Sequence, residues 1–194
     1  MPVIHHMLKR SNHTIPNQSP PGSTRTAPSA VHQDGGVKYT TGAPSKIRGR
    51  DNITIGTWNT RTLRAARKLQ ELTHEMDRYR WNILGLFEMT WKNFGETTKE
   101  EGHRVFFSEK EDKHEHGVGF LVHKDIVNTV MECRPVSSRL ITIRLRAVPF
   151  NITIVQACAP TSDYDDNETE EFYDQLQNVI DRTPKKDILV VQGY

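Results

Sequence analysis

From Asp51 onward the apolar positions follow two alternating rhythms. In DNITIGTWN, Ile53 and Ile55 alternate with Thr54 and Gly56, the two-residue period of a strand, before the polar Asn59. Leu63, Ala66, Leu69, Leu72, Met76 and Tyr79 then recur at threes and fours, which predicts a helix between Thr62 and Arg80 with one apolar stripe for core packing. WNILGLFE follows as a short buried strand that runs out to a carboxylate, Glu88. Strand, helix and strand in that order predict two neighbouring parallel strands.

Between Arg104 and Ala157 short strands follow one another without a helix: RVFF, GVGFLV, TVMEC, RLITIRLRA and FNITIVQA. Ile141, Ile143 and Leu145 alternate with Thr142, Arg144 and Arg146, as in an antiparallel sheet wet on one face. Phe172, Leu176, Val179 and Ile180 mark one face of a second helix between Glu168 and Asp181. DILVVQ, residues 187–192, then reads as a strand buried on both faces. No repeat at a solenoid period is visible.

Residues 1–50 lack apolar periodicity. They are rich in Pro, Ser, Thr, Gly and His, as in NQSPPGSTRTAPSA, and are expected to be a disordered arm. Seven basic residues against one acid give this arm a net charge of +6, while residues 51–194 carry −4. The overall +2 therefore hides a basic arm on an acidic body. A mitochondrial address is the lesser reading of the arm, given Pro20-Pro21 and no amphipathic helix. His5, His6 and His13 read as solvated tail residues rather than metal ligands.

Two cysteines, Cys133 and Cys158, make neither a disulfide framework nor a C-x-x-C site, and point to a reduced compartment. No apolar run approaches the ~18 residues of a membrane span, and MPVIHHMLKR has no apolar signal core. The expected location is intracellular, nucleus or cytoplasm, without secretion or membrane insertion. The N-x-S/T sequons then have no glycosylation reading.

Among polar residues the two strand ends carry the chemistry. If the strands are parallel neighbours, Asn59 and Glu88 emerge on one sheet edge, where a carboxylate beside an amide suits Mg²⁺. On spacing alone the plainer reading, a helix cap and a solvated loop carboxylate, prevails. EDKHEHG reads as a wet hairpin loop rather than a metal site, and GVGF as strand glycines that relieve crowding rather than a nucleotide loop. SDYDDNETEE reads as an acidic loop at a helix N-terminus, without the glycine placement of a calcium loop.

Order changes the balance. GTWNTRTL (56–63), ILGLFEMTW (83–91), GVGFLVHK (117–124), ITIVQACAPTSD (152–163) with FY-x-x-L (172–176), and KKDILVVQG (185–193) resemble successive blocks of the endonuclease/exonuclease/phosphatase superfamily. Within it they are most similar to the apurinic-type endonuclease of RTE-class non-LTR retrotransposons. The resemblance covers residues 51–194 and implies an α/β fold, a layered α-β-β-α sandwich. It also implies Mg²⁺-dependent phosphodiester hydrolysis with DNA as partner. Asn59 matches the amide that orients metal and phosphate, and Glu88 matches the metal-binding carboxylate. Cys158 stands where the superfamily carries a phosphate-contacting Tyr, and a thiol is a shorter, poorer donor.

The superfamily continues its last matching strand into GD-x-N and supplies an Asp-His pair much later. Here the strand reads GY, with Tyr194 in the place of the Asp. On this resemblance residues 51–194 are expected to be a partial domain lacking its C-terminal part. Little or no activity is expected, since losing one positioned base costs ~10²- to 10⁴-fold. Two other readings stay open: a non-catalytic nucleic-acid or protein binder acting through the basic arm, and a phosphatase of the same superfamily acting on small molecules.

Overall fold

Burial on both sides of a strand requires a layer on each side, and this chain supplies four layers. The computed structural model describes residues 29–33, 36–40, 45–60, 66–76, 78–89, 95–99, 101–108, 117–162 and 164–193, with 29–33, 36–40 and 66–70 as backbone only. In chain order the strands and helices are β1 (Ser29–Gln33), β2 (Gly36–Thr40), β3 (Ile47–Arg48), β4 (Ile55–Asn59), α1 (Ala66–Met76), β5 (Ile83–Met89), β6 (Gly95–Thr98), β7 (Arg104–Ser108) and β8 (Gly117–Val122). They continue with β9 (Val130–Ser137), β10 (Leu140–Leu145), β11 (Ala147–Val148), β12 (Ile152–Ala157), α2 (Asp166–Arg182) and β13 (Ile188–Gly193). A first sheet has the order β1-β2-β9-β10-β12-β13 and a second β4-β5-β8-β7-β6, with a small β11-β3 ladder besides.

Period-two alternation sends every other side chain into the space between the sheets. Ile55, Ile83, Phe87, Phe106, Phe120 and Val122 of the second sheet meet Cys133, Ile141, Ile143, Leu145 and Ile154 of the first. Outside the second sheet, Leu72 and Met76 of α1 cover Leu84, Leu86, Met89, Val105 and Leu121. Outside the first, Phe172, Leu176 and Val179 of α2 cover Leu140, Val155, Ala157 and Leu189. The result is the expected α-β-β-α sandwich. As predicted, β4 and β5 are parallel with α1 between them in the chain, and β9, β10 and β12 are antiparallel. Gly119 allows close approach, since a β-carbon there would crowd Phe106 O and Met89 Sδ.

Four details differ from the sequence reading. Ser29–Gln33, Gly36–Thr40 and Ile47–Arg48 lie in strands rather than in a featureless arm. Backbone pairing explains this without apolar periodicity: β2 adds to β9, and Ile47 is buried in the inter-sheet core. α1 is described over Ala66–Met76, and Tyr79 lies beyond it, 48% exposed and off the buried stripe. Ile180 of α2 is only partly buried. β13 is flanked by β12 alone among the described strands, so its Ile188 and Val191 are each 46% exposed instead of buried on both faces. Among the described residues no helix is long and apolar enough to cross a membrane. His5, His6, His13 and the EDKHEHG histidines lie outside the described residues.

Candidate metal and phosphate site

Because β4 and β5 are parallel, their carboxyl ends open on one edge of the second sheet. Asn59 closes β4, and its Nδ2 donates to Glu88 Oε1 at 2.9 Å. The two residues chosen from the sequence are therefore in contact. Glu88 has φ +57°, the left-handed region, and is the one non-glycine residue so placed among the described residues. The β5–β8 register shifts between Phe87 and Met89 at the same point. Leu84, Leu86 and Met89 all face α1, so Glu88 is the extra residue of a bulge and escapes the strand's alternation. Such a backbone costs about 1–3 kcal/mol and persists where neighbours fix it. Thr60 is that neighbour: its N–H and Oγ1–H both donate to Phe87 O, at 2.9 and 2.6 Å, pinning the peptide that leads into Glu88.

The first sheet brings a cation to the same end. Arg139 sits on the β9–β10 turn, opposite the exit of β12, where Cys158 N–H donates to Arg139 O at 2.9 Å. Arg139 Nη1 donates back to Cys158 O at 3.4 Å, and its guanidinium lies 4.4 Å from the ring centroid of Tyr164. Burial pushes the Cys158 thiol pKa up; Arg139 opposes this and Glu88 adds to it, so the thiol lies in the field of both charges. Cys158, only 7% exposed, packs into the core rather than reaching outward as a phenol would.

Among the described residues no three His, Cys, Asp or Glu side chains gather as a metal cage. One carboxylate steadied by one amide fits Mg²⁺, which keeps most of its water, and fits Zn²⁺ poorly. Thr60, Arg139 and Tyr164 were missed in the sequence. Their spacing carries no signal until the strand register shows which loops share an end.

No protein-family model matches the sequence. Over 205 residues and 95% of its length the chain is 31% identical to craniofacial development protein 2 of Tragulus javanicus. Over 153 residues and 78% of its length it is 33% identical to the protein of that name from Bos taurus. The chain is related to the endonuclease/exonuclease/phosphatase superfamily. It spans 35% and 26% of the length of these two relatives. A solved structure, the endonuclease domain of TRAS1, a telomere-specific non-LTR retrotransposon, aligns with 72% of this chain and 57% of its own, at TM-score 0.46 and 16% identity.

Proposed function

We propose that residues 51–194 form the cation- and phosphate-holding part of a Mg²⁺-dependent phosphodiester hydrolase of DNA, and that this chain binds without turnover. The observation that carries the reading is the Asn59–Glu88 hydrogen bond at the carboxyl ends of two parallel strands, with Glu88 held in the left-handed region. Glu88 would hold the ion, and Mg²⁺ when bound polarises a phosphoryl oxygen and stabilises the leaving oxygen. Asn59 fixes the carboxylate and presents its amide toward the phosphate. Arg139, held over the Tyr164 ring, supplies countercharge to the phosphodiester. Turnover needs a group that takes a proton from water. In the sequence Tyr194 stands where the superfamily motif has a carboxylate, and a phenol is normally protonated below pH ~10.

The test is DNA binding and supercoiled-plasmid nicking by residues 1–194, with Mg²⁺ or EDTA, beside Glu88→Ala. Mg²⁺-dependent binding that the substitution removes, without nicking, is the expected result. Binding indifferent to both Mg²⁺ and Glu88→Ala would overturn the site and leave the basic arm as the binder. Nicking that EDTA and Glu88→Ala both abolish would overturn the absence of turnover.

A further inference from the structure

Between the sheets, inward side chains stack in layers that the strand registers define. β4 contributes Ile55, Thr57 and Asn59; β5, Ile83, Gly85 and Phe87; β12 and its exit, Ile154, Gln156 and Cys158; β13, Val190 and Gln192. The layer of Ile55, Ile83, Ile154 and Val190 is apolar. The layer of Asn59 and Cys158 belongs to the candidate site. Between them lies a polar layer, Thr57 beside Gly85 in one sheet and Gln156 beside Gln192 in the other.

Gly85 makes room for it. A β-carbon there would fall on Gln156 Oε1 and Gln192 Nε2, so both amides reach across from the opposite sheet into the space that a side chain would fill. Gln156 has no exposed surface, and its Oε1 and Nε2, with Gln192 Nε2, have no hydrogen-bond partner among the described residues. Buried amides of this kind are destabilising unless something polar serves them, and a Leu or Met would fill the volume without that penalty. Thr57 lies in the same layer, and the next layer along the strands is that of Asn59 and Cys158.

We infer that Gln156 and Gln192 form the floor of the divalent-cation site and hydrogen-bond to water that hydrates the ion held at Glu88. This rests on the reading of Glu88 as the ion's ligand. An amide both donates and accepts while adding no charge, which suits an ion that keeps its water. The glutamines are positioning residues for that hydration shell, not ligands.

The experiment uses Mn²⁺ as probe, titrated into residues 1–194 and followed by water-proton relaxation, with thermal unfolding of each variant in EDTA. Gln156→Leu is expected to weaken Mn²⁺ binding about tenfold, as loss of outer-shell partners does, while the Tm in EDTA stays equal or rises. Unchanged Mn²⁺ affinity overturns the inference, and so does weakened binding with a fallen Tm, which would make the amide a structural bond. If Gln156→Leu does not fold, Gly85→Ala displaces the amides from the other sheet; the same loss of affinity supports the floor and unchanged affinity overturns it. Glu88→Ala keeps the two readings apart, because Mn²⁺ binding that survives it sinks the cation site itself.

Discussion

At Glu88 the backbone conformation and the side-chain chemistry are separable. Alanine at φ +57° is strained as glutamate is, whereas glycine is not. Glu88→Gly is therefore expected to be about 1 kcal/mol more stable than Glu88→Ala in urea unfolding, with cation binding lost in both. Equal stabilities would show that the bulge stores no strain. Thr60→Val removes one of the two bonds to Phe87 O and is expected to cost about 1 kcal/mol and weaken Mn²⁺ binding. Cys133 and Cys158 are both buried with pKa values raised chiefly by burial. Neither thiol is expected to react with a chromogenic disulfide at pH 7.5 until urea unfolds the chain, and prompt reaction of the native protein would contradict their placement. From the sequence, Asn59 and Glu88 are visible only as strand ends. The bulge that singles out Glu88 is not, because ILGLF is an apolar run without alternation and Glu88 reads simply as its polar end.

Three strands of the first sheet are tied by one carboxylate. Asp187, just before β13, accepts from Arg144 Nε and Nη2 of β10 at 2.6 and 2.9 Å and from Thr153 Oγ1 of β12 at 2.8 Å. Burial opposes its charge, but the bonds from Arg144 and Thr153 outweigh burial and hold its pKa below the usual value. A folded-state pKa below the unfolded one adds stability that is present above about pH 4 and lost as pH falls through the folded value. Asp187→Asn is expected to cost about 2 kcal/mol at pH 7, and the gap from wild type should close in melts below pH 4. A gap constant from pH 7 to 3 would assign the effect to packing. At the start of α2, Asp165 accepts from Glu168 N–H at 2.7 Å, and Asp165→Ala should cost about 1 kcal/mol. β4, α1 and β10 were legible because their periods are clean, and β5 because a short apolar run ending at a carboxylate reads as a buried strand. β1 and β2 were not, since their strand character comes from pairing; the Asp-Gly dipeptide between SAVHQ and GVKYT, a hairpin signal in sequence, was the cue available. β13 misled because an apolar run does not reveal whether the strand has one neighbour or two.

On the scale of the whole molecule, the proposed site and the basic N-terminal residues would contribute separably to the proposed DNA binding. Replacing Lys9, Arg10 and Arg25 by Ser is expected to reduce the slope of log affinity against log salt by up to about 3, leaving the Mg²⁺-dependent part intact. An unchanged slope would remove these arm residues from the interface. The layered interior has a further consequence, for how the two sheets come together. A one-residue slip of β12 and β13 would carry Gln156 and Gln192 through the first sheet to the side of Phe172 and Leu189, and would set Val155 and Val191 against Gly85 instead. In that alignment Gln156 would take the place of Val155 beneath the apolar face of α2, and the room left by Gly85 would face shorter, branched side chains. The fit of two long amides over one glycine thus acts as a registration mark by shape: the sandwich closes with Gly85 against Gln156 and Gln192, and a slip loses that fit.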